Sequence, residues 1–299
     1  MHGGGSTGTA AAKHATRLAW ALGLTATYMV AEVIGGLVTG SLALLADAAH
    51  MLTDVGGLGL ALLAIRFAAK EATPQRTYGY LRMEVLSALA NAVVLLLLTI
   101  YILYEAYQRF QAPPEILSGP MLIVATIGLS VNLISMKLLA GGSSESLNVK
   151  GAYLEVLGDM LGSIGVIVAA LLMMWKGWAL ADPIIGAGIG LFIVPRTWIL
   201  LKQVTHILME ATPANIDVSA MEKRLTAIPG VSRVHDLHVW TVTSGFDSMS
   251  CHLVVEDMSV WRDVLREARV TVRRDFKIDH VTIEVEHGAT MDEEAKLHV

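Results

Sequence analysis

The sequence predicts a membrane protein of six transmembrane α-helices, followed by a small α+β cytoplasmic domain of helix–strand–strand–helix–strand order. Three observations predict it. The 299 residues are 54% hydrophobic and only 16% charged, whereas a soluble domain carries about 25% charged residues. Six apolar runs approach or exceed the ~20 residues needed to cross a bilayer. After Gln203 hydrophobicity falls, charges become frequent and strand-like alternation begins.

The apolar runs are residues 18–38, 41–65, 85–104, 121–139, 151–175 and 184–201. The stretch TGS links the first two, which makes them a helical hairpin. The opening MHGGGSTGTAAAKHATR is a short polar tail. No brief apolar stretch with a cleavage site follows it, so it is not read as a signal peptide. These features divide the chain into a tail (1–16), a six-helix transmembrane domain (17–205) and a cytoplasmic domain (206–299).

Basic residues set the orientation. Lys13, Arg17, Arg66, Lys70, Arg76, Arg82, Lys137, Lys150 and Lys202 fall on one side, and only Arg109 and Lys176 on the other. The positive-inside rule then puts both termini in the cytoplasm, as six spans require.

In the soluble part VSAMEKRLTAI has helical periodicity. VSRVHDLHVWTV and SMSCHLVVE alternate as strands around the turn TSGFD. WRDVLREARVTVRRDF is an amphipathic helix and HVTIEVE a third strand. Such an order suits helices on one face of a sheet.

Composition also excludes classes. The net charge of −5 and the lack of a long basic run argue against a nucleic-acid partner. Lys223, Arg224, Arg262, Arg266, Arg269, Arg273 and Arg274 are interleaved with acids, as on a solvated helix surface. Cys251 is the sole cysteine, so the chain has no intrachain disulfide and no cysteine zinc motif.

The chemistry lies in the spans. DAAHMLTD places His50 and Asp54 four residues apart, about 40° apart on one helix face. Asp47 lies on that face, one turn nearer the outside. YLEVLGDMLGS repeats the spacing with Glu155 and Asp159, and Glu32 adds an acid in the first span. Arg196 is the one Lys or Arg well inside a span. A charge at the bilayer centre costs about 2.5–3.5 kcal/mol even on the lenient scale. A bound cation or protons supply the missing positive charge most simply. One imidazole and three carboxylates, from His50, Asp54, Glu155 and Asp159, can make a four-ligand site for a divalent transition metal.

Such a site suggests a mechanism. Metal binding needs neutral imidazole and ionised carboxylates, so it releases protons. Protons arriving from the other side would displace the metal. Of the four groups, His50 is best suited to carry the proton.

The cytoplasmic part holds His235, His238, His252, His280 and His287, with Glu284 and Glu286. Alternation puts Val281, Ile283 and Val285 on one face of the third strand, with His280, Glu284 and Glu286 on the other. On the second strand His252 and Glu256 oppose Cys251, Leu253 and Val255. The first strand is ambiguous: if Leu237 and Val239 point to the core, His238 and Asp236 share the polar face.

These segments resemble the cation diffusion facilitator family of zinc and related metal transporters, of the bacterial zinc, cobalt and cadmium efflux type. The resemblance rests on SLALLADAAHMLTD, RTYGYLRMEVL, GAYLEVLGDMLGS, ADPIIG, LMEATP and VHDLHVW, and covers almost the whole chain. It implies a six-span homodimer with a metallochaperone-like, ferredoxin-like αββαβ domain, exporting zinc, often with cadmium or cobalt, against protons. The transport site it implies is His50, Asp54, Glu155 and Asp159. Many zinc members carry His where this chain has Glu155, so a harder, more anionic site is expected here. The resemblance favours His235, His252 and Glu286 as a cytoplasmic site, where zinc would act as a regulator drawing two domains together. Some members bind an extra metal in the 66–82 loop through Asp and His; this chain has neither there. The Ser-rich loop 141–150 lacks the His cluster of some animal members. The short, His-poor tail and loops favour a bacterial inner membrane.

Other readings fit less well. An intramembrane metalloenzyme would need a general base and an open metal position, and neither HExxH nor GxSxG occurs. An organic-cation transporter would want aromatic walls, yet aromatics are 6% of the chain, with none beside the pairs. A membrane-bound metal sensor using the cytoplasmic histidines is the alternative, but it leaves the intramembrane pairs unexplained.

Overall fold

The computed structural model describes residues 10–68, 70–140 and 147–287. The first nine residues of the tail and the 141–146 stretch of the Ser-rich loop lie outside them. Six long helices come first: α1 (Ala10–Thr39), α2 (Leu42–Ala68), α3 (Met83–Gln111), α4 (Ser118–Ala140), α5 (Leu147–Lys176) and α6 (Ala181–Leu208). Then follow α7 (Val218–Thr226), β1 (Val231–Thr243), β2 (Phe246–Val255), α8 (Trp261–Thr271) and β3 (His280–His287).

Among the described residues five helices are long and apolar enough to cross a membrane: Ala19–Thr39 of α1, α3, α4, Ala152–Lys176 of α5, and α6. With 27 residues α2, the predicted second span, is about 40 Å long, sufficient to cross.

The chain forms two compact units. The first comprises Met1–Leu60 and Ala90–Leu200, the second Ala61–Leu89 and Leu201–Val299. In the first unit α4 packs on both α1 and α5. Small residues make the close contacts: Ala43, Ala125, Ala169, Ala170 and Ala181 are buried with Leu44, Met121 and Val166. A second cluster joins Leu42 and Ala46 of α2 to Ile102 and Ala106 of α3. Small side chains let helix backbones approach where lipid offers no hydrophobic drive.

A polar lock orders the start of α2. Gly40 turns the chain with φ 73°, a conformation that glycine adopts without strain. Asp182, fully buried in the first turn of α6, accepts the Ser41 hydroxyl at 2.5 Å and the amides of Leu42 and Ala43 at 2.8 and 3.2 Å. These amides have no partner inside the helix, and a carboxylate there also meets the positive end of the helix dipole. Arg109 donates to the Gly40 carbonyl at 2.5 Å and lies 3.5 Å from Asp182.

In the second unit β1, β2 and β3 form one sheet in that order. β1 and β2 are antiparallel, while β2 and β3 are parallel. The parallel pair needs a crossover, which α8 supplies. Met221 and Leu225 of α7 and Val264 and Ala268 of α8 are buried against Val234, Met249, Cys251 and Leu253 of the sheet. Both helices therefore cover one face, as alternation predicted. Asp217 caps α7 by accepting the Ala220 amide at 3.1 Å. Arg224 of α7 bonds Asp275, beyond α8, at 2.6 Å.

β1 is not regular. His235 pairs with His252 and His238 with Ser250, so three steps on β1 match two on β2. This is a β-bulge, and Asp236 within it has φ 51°. The extra residue returns His235 and His238 to the same face. The sequence ambiguity between them has this physical origin: strict alternation can put only one of them there.

Candidate metal centres

α2 and α5 carry the intramembrane pairs. Helical spacing keeps His50 beside Asp54, with Nε2 3.6 Å from Oδ2. On α5 Asp159 is buried, and its Oδ1, like His50 Nδ1, has no hydrogen-bond partner. Asp159 lies within electrostatic reach of Asp47, Asp54 and Glu155. Arg196 of α6 links the two pairs: its Nη2 is 2.6 Å from Glu155 Oε1 and 4.0 Å from Asp54 Oδ1. The sequence marked Arg196 as the lone cation but offered no partner for it.

A cavity of about 280 Å³ is lined by Asp47 and His50 of α2, Gly158, Gly162 and Gly165 of α5, and Gly188 and Phe192 of α6. The glycines create this room. A Cβ on Gly162 would collide with the Asp47 carboxylate, whereas one on Gly158 meets nothing within 4 Å. Nearby lies a buried polar set that sequence reasoning did not assemble. The Tyr28 hydroxyl donates to Glu32 at 2.8 Å, and Asn132 donates to Ser163 at 3.3 Å. Glu32 and Asp47 face each other, and Glu32 Oε2, Asp47 Oδ2 and Asn132 Oδ1 are buried with no aligned hydrogen bond. Glu32 and Asp47 were singled out in the sequence; Asn132 and Ser163 read there as ordinary span residues.

The second group lies on the sheet face away from α7 and α8. His235 and His252 are cross-strand neighbours with ring centroids 5.0 Å apart. Glu286 of β3 reaches both: His235 Nε2 is 3.0 Å from Oε2, and His252 Nδ1 touches Oε1. Neither atom of the second contact has an aligned hydrogen-bond partner. Ligand atoms of His235, Asp236 and His252 also lie within 4.8 Å of one another. Two imidazoles with carboxylates at this separation fit a zinc-type donor set. Sequence reasoning put Asp236 beside His238, and the two are 4.0 Å apart; Asp236 also lies within ligand range of His235. Glu284 is mostly exposed, 3.8 Å from His252. His280 stands apart, with its ring 5.6 Å from that of Tyr78 and 5.7 Å from that of Phe246. Burial pushes the Cys251 thiol up to about 12, so it stays protonated in the core.

Residues 18–209 match the family model of the cation efflux transmembrane domain, and residues 213–288 that of the cation efflux protein cytoplasmic domain. The chain belongs to the cation efflux family. It is 49% identical to the metal cation efflux system protein CzcD of Cupriavidus metallidurans, over 93% of this chain and 88% of that protein. It is 43% identical to the cadmium, cobalt and zinc/H(+)-K(+) antiporter of Bacillus subtilis, over 88% of this chain and 86% of the relative. Identity to the zinc transporter ZitB of Escherichia coli is 41%, over 92% and 88%. A solved structure, the metal-bound C-terminal domain of the CzcD transporter, is 41% identical and covers 24% of this chain and 99% of that one, with a TM-score of 0.22. This cation efflux protein is thus an integral membrane protein that exports divalent metal cations, with a cytoplasmic domain of helices and a three-stranded sheet.

Proposed function

We propose that the protein exports zinc in exchange for protons by alternating access, with cadmium and cobalt as further cargo. The observation that carries this reading is the pairing of His50 and Asp54 on α2 with Glu155 and Asp159 on α5, beside a cavity and one shared arginine. In the reading His50, Asp54, Glu155 and Asp159 hold the cargo ion, and protons replace it once the site faces the other side. Binding requires deprotonated ligands, which couples the ion to protons. The relatives support the choice of ions: one is named a cadmium, cobalt and zinc antiporter, another a zinc transporter.

In the same reading residues 17–205 transport and residues 206–299 regulate. Zinc at His235, His252 and Glu286 would cancel acidic repulsion and draw together the cytoplasmic domains of a homodimer. Both termini are cytoplasmic and the host is a bacterial inner membrane. The protein performs no catalysis. A second reading, a membrane-bound metal sensor, is favoured only by the cytoplasmic cluster of His235, His252 and Glu286.

Metal flux into proteoliposomes with an acidic lumen tests the proposal, using zinc, cadmium, cobalt and manganese. Uptake driven by the proton gradient and abolished by Asp54→Ala is expected, with a changed metal order in Glu155→His. No flux of any of these metals by correctly folded protein would move the conclusion to the sensor.

A further inference from the structure

We infer that Arg196 is a counter-cation, tethered in the transport site, which shares Asp54 and Glu155 with the cargo and keeps the cargo's hold weak enough for release. The inference deepens the proposed transport reading and rests on it.

The geometry carries it. Arg196 Nη2 sits 2.6 Å from Glu155 Oε1 and 4.0 Å from Asp54 Oδ1, and so spans one member of each pair. A guanidinium cannot lose its charge in a protein. Its positive charge therefore faces any cation that enters, at every pH the protein meets. A metal ion that takes Glu155 Oε1 must share that oxygen's charge with the guanidinium or displace it. Even at the carboxylates it does not contest, the ion is repelled by a like charge a few ångströms away.

Without Arg196 three carboxylates and one imidazole would face a divalent ion. Such a site binds strongly, but transport requires binding loose enough to let the ion go. Arg196 offsets one carboxylate and leaves an excess of two negative charges when His50 is neutral and the acids are ionised. That excess matches a divalent ion. The side chain is more than half exposed, so it has room to swing away from Glu155. Pro195 precedes it inside α6 and removes one intrahelical hydrogen bond at that turn, which eases local adjustment.

The test uses full-length protein in detergent at pH 8 and low salt. His235→Ala and His252→Ala are included, so that the cytoplasmic group does not contribute. Zinc affinity is read by competition with a chromophoric chelator, and transport kinetics in proteoliposomes. Arg196→Gln is expected to bind zinc roughly tenfold tighter and to lower both KM and kcat, because release slows. Arg196→Lys keeps the charge but loses the planar fork; it should fall between the two and remains informative if the Gln variant misfolds. Asp54→Ala should abolish binding in either background. Zinc affinity in Arg196→Gln that is unchanged or weaker, while Asp54→Ala still abolishes binding, would overturn the role of Arg196 alone. Binding that survives Asp54→Ala would overturn the site itself.

Discussion

The Asp182 carboxylate accepts the backbone amide of Leu42 at 2.8 Å, across 140 residues of sequence. This one bond ties the start of α6 to the start of α2, the helix that carries His50 and Asp54. Asp182 has no exposure, and Arg109 is its nearest cation at 3.5 Å. Replacing it with Ala leaves the Ser41 hydroxyl and two helix amides without their acceptor, while Arg109 keeps Glu105 and the Gly40 carbonyl. The expected loss is about 1–3 kcal/mol, with Asn losing less. Thermal unfolding of the purified variants in detergent checks the order: wild type, then Asn, then Ala.

Two glycines on α5 should respond in opposite ways. Gly162→Ala drives a Cβ into the buried Asp47 carboxylate and should cost about 1–3 kcal/mol, as overpacking does. Gly158→Ala meets nothing within 4 Å and should keep or slightly raise stability, since Gly is a poor helix residue. Melting temperatures of the two variants, measured side by side, give the answer; equal losses would contradict the packing around Asp47.

The cytoplasmic group predicts stoichiometry. Wild type should bind two zinc ions per protomer, one in the spans and one at His235, His252 and Glu286. His252→Ala should reduce this to one and leave transport through His50 and Asp54 in place. Metal analysis after gel filtration reads the first, and proteoliposome flux the second.

Asp275 predicts an acid dependence. Hydrogen bonds from Arg274 and Arg224 hold its carboxyl below the usual aspartate range. A carboxylate lowered on folding contributes stability that is full above its unfolded pKa, about 3.9, and is lost as pH falls through the lower folded value. The full chain should therefore lose stability below about pH 4. Asp275→Asn should be less stable than wild type at neutral pH and should converge with it in acid. Fluorescence-detected melting from pH 3 to 7 would show this; parallel curves at all pH values would refute it.

Much of the molecule was legible in the chain because its signals are local. Apolar length marked the six spans, α2 with its polar residues among them. The four-residue spacing of His50 with Asp54 and of Glu155 with Asp159 follows from helical pitch and needed no structure. The strand alternation of Val281, Ile283 and Val285 likewise placed them on the core face. The bulge at Asp236 was not legible: a single residue with positive φ reverses alternation, and no nearby residue announces it.

The sequence by itself determined which helices carry polar groups, which strand faces are apolar, and the order of elements in the cytoplasmic domain. Periodicity within one element specifies these, because a side chain's direction follows from its own backbone. Only the tertiary structure decided that Asp182 would hold the start of α2, that Arg196 would bridge Glu155 and Asp54, and that Glu286 would reach both His235 and His252. Those contacts join residues 34 to 142 positions apart. They depend on which faces of different elements meet, and packing of the whole chain chooses that.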